Sequence, residues 1–251
     1  MTAEPILHHY DTSPFSEKPR VMFGVKGLAW RAVTQPVIMP KPELTPLTGG
    51  YRRIPVMQVG ADVYCDSQVI LAEIEARNPE PTVVRPCDWA VNLWADRLFF
   101  QTTVAVVFGE IGDTVPEAFK KDREALSGRP FDTAAMKAAA VPAKAQWRAH
   151  AAFVERGLMG GEFLGGSTPS LADIAAYMNV WWLRRAAHDA AEALLAGLPR
   201  TQAWRERLKA LGHGSRSEMS GAEALAAAKA ATPAAPPAHD PAASAFSPGQ
   251  A

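Results

Sequence analysis

The chain has 251 residues, 26 basic and 26 acidic side chains and a formal net charge of +0. That balance gives no electrostatic footprint for nucleic acid, and with no long uninterrupted apolar run a transmembrane helix and membrane attachment are not expected. The opening MTAEPILHHYD lacks a basic stretch followed by an apolar core, and Cys65 and Cys87 form no CxxC pair, so a protein of the reducing cytoplasm is expected.

The first apolar run, residues 6–10, reads as a strand. His8 and His9 point to opposite faces of it and cannot share a metal, so no metal site is expected there. A polar loop with Ser13-Pro14-Phe15-Ser16 leads into a helical pattern that ends at Gly27, a natural residue after a helix C-terminus. Pro19 is tolerable only in the first turn, which puts the start near Ser16. Residues 29–37 read as a second strand. Strand, helix, strand in this order is a βαβ unit, which implies a parallel pair. Residues 39–50 are rich in proline and threonine, with Leu44 and Leu47 anchoring one short helix.

Residues 53–67, RIPVMQVGADVYCDS, read as proline, strand, tight turn, strand and helix start. Proline belongs at the first residue of a strand. If the Ile54–Pro55 bond is cis, the chain turns sharply there and Ile54 presents its N–H and C=O outward. Asp66-Ser67 opens a helix carrying Val69, Ile70, Leu71 and Ile74. Free N–H groups at that terminus suit a carboxylate, and the neighbouring aspartate suits an ammonium. Those residues fit either an α-amino-acid site or an ordinary capped helix.

Residues 79–87, with Pro79, Pro81 and Pro86, read as a linker. A long aromatic helix over residues 88–111 follows, with Asp88 as its cap. A short helix over 116–126 comes next, then a long one over 134–158 that Pro142 kinks or interrupts. Ser170-Leu171-Ala172-Asp173 has capping-box spacing, and the helix after it is apolar around most of its surface, so it belongs at the centre of a helical domain. Asp173 reads as structural. Helices over 189–195 and 201–211 complete that domain. Residues 213–251 are rich in alanine and proline. Residues 217–231 suit a weak helix, and residues 232–251 have too little apolar bulk to offset ordering entropy.

With Ser13-Pro14-Phe15-Ser16, Ile54-Pro55, Asp66-Ser67 and Ser170-Leu171-Ala172-Asp173 in this order, the chain resembles the cytosolic glutathione transferases from about Ile6 to Leu211. The resemblance implies an α+β protein. A thioredoxin-like glutathione-binding domain (β-α-β-α-β-β-α, residues 1–78) would precede the linker, an all-helical domain (88–212) and a disordered tail (213–251). It implies that Ile54, before the cis-Pro55, pairs with the cysteinyl backbone of glutathione, and that Asp66 and Ser67 hold its γ-glutamyl end. Ser13 matches the catalytic position of serine-type members. A hydroxyl there stabilises the thiolate of glutathione, the co-substrate, which then attacks a small hydrophobic electrophile. Tyr10 lies too far back in the strand to be preferred. The family's usual approach to the cis-proline is replaced by Gly49-Gly50-Tyr51-Arg52-Arg53, so Arg52 or Arg53 is expected to reach the glycyl carboxylate. The electrophile pocket is expected to draw on the loop near Phe15 and on the long helix bearing Trp94, Leu98 and Phe99, although an aromatic stripe at that spacing is more often core. A homodimer is also implied. A non-catalytic binding module of the same fold is the alternative, and a thiol–disulfide reductase is disfavoured because neither Ser13 nor Ser16 is a cysteine.

Overall fold

The computed structural model describes residues 4–235. In the sheet domain, β1 (Ile6–His9), α1 (Pro14–Val25) and β2 (Ala29–Thr34) form the βαβ unit, with β1 and β2 parallel in the register Leu7↔Ala32. A single turn, α2 (Thr45–Thr48), precedes the hairpin β3 (Val56–Val59) and β4 (Asp62–Cys65), and α3 (Ser67–Arg77) follows. β3 runs antiparallel to β1. This is a thioredoxin-like domain. Leu7, Met57 and Ala32 on one sheet face pack with Phe23, Ile70 and Ile74 from α1 and α3 in a shared core.

The helical domain opens with α4 (Asp88–Trp94), one turn of π-helix (Ala95–Phe99) and α5 (Phe100–Ile111) without a break. Then come α6 (Glu117–Ser127), α7 (Thr133–Gly157), α8 (Leu171–Ala186), α9 (His188–Leu195) and α10 (Pro199–Leu211). Helix α8 is central, with Leu171 to Val180 buried. Buried Asp173 fixes its start. Its carboxylate accepts from the N–H groups of Leu164 (2.7 Å) and Ser170 (2.9 Å), from the Ser170 hydroxyl (2.9 Å) and from Trp204 Nε1 (2.7 Å), which is the structural role expected of it. Among the described residues, no helix is long and apolar enough to cross a membrane.

Several expectations need correction. Helix α1 starts at Pro14 rather than near Ser16, because Ser13 is its cap and accepts from Ser16 N at 3.2 Å. Pro19 therefore lies inside the helix, where it has no N–H to give the Phe15 carbonyl. β2 stops at Thr34, short of Pro36. Asp66 caps α3, and Ser67 is its first residue. Cys87 precedes α4, and Asp88 is its first residue, accepting from Arg85 N at 3.0 Å.

The largest correction concerns the segment after Gly212. Residues 215–218 form β5 (Ser215–Glu218), parallel to β2, so the sheet order is β4-β3-β1-β2-β5. Residues 221–230 form α11 (Gly221–Ala230), opened by a Ser220–Glu223 capping box. Ala224 packs on Ile6 and Val33, its carbonyl accepts from Gln58 Nε2 at 2.9 Å, and Ala234 N reaches Asp62 at 2.9 Å. A disordered tail over 213–235 is therefore not what the chain forms, and the remainder of that expectation, 236–251, lies outside the described residues.

Candidate functional site

The C-terminal end of β1 delivers the site. Tyr10, the first residue past the strand, accepts from Ser13 N through its carbonyl at 3.0 Å, which closes a tight turn into α1. Ser13 is buried at the helix start, and its Oγ already accepts from Ser16 N. Its own O–H proton therefore remains free to donate outward. Ser13 lines a cavity of about 380 Å³ with Tyr10, Phe15, Ile54, Arg53 and Lys41 on the sheet-domain side. Tyr10, set aside from sequence, is thus placed at the same opening.

Across that cavity stand Phe100, Val104 and Phe108 of α5, Phe119 and Arg123 of α6, and Trp182 of α8. Phe15 meets Phe100 edge-on at 4.6 Å, Phe100 stacks on Trp182 at 5.5 Å, and Phe108 meets Trp182 at 6.0 Å. Phe15 and the long helix bearing Trp94, Leu98 and Phe99 were expected here, and that helix does line the cavity, through Phe100, Val104 and Phe108, while Trp94, Leu98 and Phe99 themselves do not. Phe99 is fully buried against Trp94, Trp147 and His150, and Leu98 is exposed. The π-turn at Ala95–Phe99 adds a residue to the helical register just before Phe100.

A second cavity, about 140 Å³, adjoins the first and shares Phe15, Arg53 and Ile54 with it. Its other walls are Tyr51, Pro55, Asp66, Ser67, Gln68, Asp96 and Arg97. The Ile54–Pro55 bond is cis. Among the described residues, no hydrogen bond within the chain engages the N–H or C=O of Ile54. Asp66 is the one non-glycine with positive φ (78°) among the described residues. That conformation costs on the order of 1–3 kcal/mol and concentrates at functional positions. It turns the Asp66 carboxylate over the start of α3, where Oδ1 accepts from Gln68 N at 2.8 Å.

Lys18 and Asp96 at this cavity were not foreseen. Lys18, fully buried on α1, donates to both oxygens of Asp96 (2.8 and 2.9 Å) and to Ser67 Oγ (3.3 Å). Burial draws Lys18 below the ordinary lysine range and pushes Asp96 above the carboxylate range, while each charge holds the other against that pull. Because Ser67 Oγ accepts from Lys18, its own proton is available to a carboxylate at the helix N-terminus. From sequence, a lone lysine and a lone aspartate on two distant helices carry no sign of pairing.

Of the two candidate arginines, Arg52 is taken. It pairs with Asp122 of α6, which also accepts from Met39 N at 3.0 Å. Arg53 is exposed, lines both cavities, and among the described residues has no carboxylate partner. Lys41, only 3% exposed, is a further cation of the first cavity. Burial, opposed by Asp122 and aided by Arg123 and Arg52, brings it down to about 8.

Fold and cleft together define a thioredoxin-like domain joined to a helical domain, with a polar half-site on the first and an aromatic half-site on the second. Comparison with known proteins gives the family. The glutathione S-transferase N-terminal domain matches residues 7–82, and the C-terminal domain matches residues 110–207. A GST-like protein from Pseudomonas syringae is similar at 36% identity and TM-score 0.76, over 95% of this chain and 78% of that one. A glutathione S-transferase from Rhodospirillum rubrum F11 is similar at 20% identity and TM-score 0.62, over 82% and 87% of the two chains. The beta-etherase LigF from Sphingobium sp. strain SYK-6 is similar at 19% identity and TM-score 0.61, over 84% and 96%. At those identities the last two speak for the fold alone. No curated protein matches the chain. The chain belongs to the glutathione S-transferase superfamily.

Proposed function

We propose that the protein is a glutathione transferase that binds glutathione across the two adjoining cavities and directs its thiolate at an electrophile held against the aromatic wall. The observation that carries this reading is the continuity of the cleft: Phe15, Arg53 and Ile54 line both cavities. The γ-glutamyl carboxylate sits at the start of α3 on Ser67, and the ammonium faces Asp66. Ile54 offers its unpaired N–H and C=O to the cysteinyl backbone, Pro55 shapes that turn, and Arg53 takes the glycyl carboxylate. The sulfur then lies at Ser13.

A free thiol has a pKa of about 8.5, so only a few per cent is ionised at neutral pH. The Ser13 O–H donates to the sulfur and stabilises the anion, and the thiol proton leaves to solvent. The sulfur lone pair forms the C–S bond, and the leaving group departs with the electrons of the bond it breaks. Ser13 is the donor and glutathione the nucleophile.

Val69 on α3 and Leu93 on α4, 49% and 52% accessible, would each be covered in a homodimer that uses these helices. Two separate free cysteines fit a cytoplasmic protein. A second reading, a non-catalytic module, is favoured by the Arg52–Asp122 pair, which ties the approach to Ile54 to helix α6. Titration calorimetry with glutathione tests the site. Wild type is expected to bind, and Ser67→Ala to lose about tenfold or more in affinity. Absence of wild-type binding at millimolar glutathione overturns the site assignment.

A further inference from the structure

The turn that carries Ser13 is held from two sides. From inside, Arg20, 2% exposed on α1, reaches back to it. Its Nη1 donates to the Tyr10 carbonyl (3.3 Å) and meets His9 Nδ1 (3.0 Å), while its Nη2 donates to the Asp11 carbonyl (3.2 Å). Glu17 orients Arg20 through Oε2, at 3.0 Å from Nε and 2.6 Å from Nη2. The other oxygen of Glu17 meets His213 Nε2 at 3.0 Å. That histidine lies just before β5, and its carbonyl accepts from Trp30 Nε1 at 2.6 Å.

From outside, β5 pairs with β2 in the register Trp30↔Arg216. Arg216 Nη1 donates to Asp11 Oδ1 at 2.8 Å, its guanidinium lies 5.6 Å from the Trp30 ring centroid, and its Nε donates to Glu218 at 2.7 Å. Gly24 and Gly214 make this seating specific. A Cβ on Gly24 would lie 2.1 Å from the Gly212 carbonyl oxygen, and one on Gly214 would lie 2.3 Å from that of Leu28. Gly214 also has φ of +70°. The segment is therefore fitted to the ends of α1 and β2.

We propose that the C-terminal segment is part of the catalytic apparatus: Arg216 is a positioning residue that, through Asp11, fixes the turn bearing Ser13 and Tyr10. The inference rests on the transferase reading for its catalytic consequence but not for its structural one. The Arg216–Asp11 pair is partly exposed, so it contributes little to global stability. Its leverage is local. Asp11 is two residues from Ser13, and a donor to a developing anion loses effect steeply with displacement. Among the described residues, no hydrogen bond links Asp66 or Ser67 to Arg20, Glu17, Asp11 or Arg216.

The test uses the full chain and the variants Arg216→Ala, Arg216→Lys and Asp11→Asn. Amide hydrogen exchange at Thr12 and Ser13 reads the turn, thiolate absorbance of bound glutathione reads the sulfur, and the pH profile of kcat/KM reads catalysis. Arg216→Ala is expected to speed exchange at Thr12 and Ser13 while leaving the melting temperature and glutathione affinity near wild type. It is also expected to move the rising limb of the pH profile upward and lower kcat/KM about tenfold below neutral pH. Asp11→Asn is expected to do the same, and Arg216→Lys to recover part of the loss. Unchanged exchange and an unchanged profile in Arg216→Ala overturn the proposal. If wild type forms no thiolate, the transferase reading fails, and exchange at Thr12 and Ser13 alone then decides whether Arg216 positions the turn.

Discussion

Lys18 and Asp96 join the two domains through one buried ion pair, with both carboxylate oxygens within 2.9 Å of the ammonium. One partner lies on the first helix of the sheet domain and the other in the π-turn of the helical domain. Such pairs cost desolvation, and removing one partner strands the other. Lys18→Met is therefore expected to lose about 3–5 kcal/mol in urea denaturation. Lys18→Met with Asp96→Leu is expected to recover most of that stability but not glutathione affinity, because Ser67 has then lost the donor that orients it. Recovery of both would make the pair purely structural.

The low position of Lys41 gives a pH dependence. Burial leads, and Arg123 and Arg52 add to it, placing Lys41 at about 8. Below that pH it is charged and strengthens the cationic end of the cavity. Above it the charge is lost. Affinity for S-methylglutathione, which has no thiol to titrate, is expected to fall as pH rises through about 8. The bound carboxylate should shift the midpoint upward, and Lys41→Met should flatten the curve. Calorimetry across that range checks this.

Phe119 stands on the far wall of the first cavity and meets Phe108 at 6.1 Å. Its ring partners Phe108 and Phe131 and its cation partner Arg123 all belong to the helical domain. Phe119→Ala is expected to raise KM for aromatic electrophiles by about five- to tenfold, equivalent to about 1 kcal/mol of aromatic contact. The dissociation constant of glutathione should stay within about twofold. Steady-state kinetics with both substrates varied separate the two effects.

The face carrying Val69 and Leu93 is expected to pair two copies. Sedimentation should give a dimer for wild type, and Leu93→Glu should shift it to monomer with the helical content unchanged.

Much of this fold is legible in sequence because glycine and proline punctuate it. Gly27, the Pro55 strand start and the Ser170–Asp173 box each mark an end that the structure keeps. The parts that escaped have physical reasons. Strand β5 reads Ser-Arg-Ser-Glu, wholly polar and exposed, with no alternation to reveal it. Helix α11 falls within the weak helix expected over 217–231, but its docking escaped because it buries only Gly221 and Ala224 and packs by close approach rather than bulk. The π-turn at Ala95–Phe99 also leaves no trace in apolar spacing. The segments around Ile54 and Asp66 were visible as motifs, whereas Lys18, which donates to Ser67, is visible only in three dimensions.

The most direct test of the account is the ultraviolet thiolate absorbance of glutathione bound to wild type, Ser13→Ala and Tyr10→Phe near neutral pH. Wild type and Tyr10→Phe should show bound thiolate. Ser13→Ala should bind glutathione with similar affinity, lose the thiolate signal, and lose about 1 kcal/mol of stability with its cap to Ser16. A thiolate signal that survives in Ser13→Ala and vanishes in Tyr10→Phe would contradict the assignment and move the donor to Tyr10.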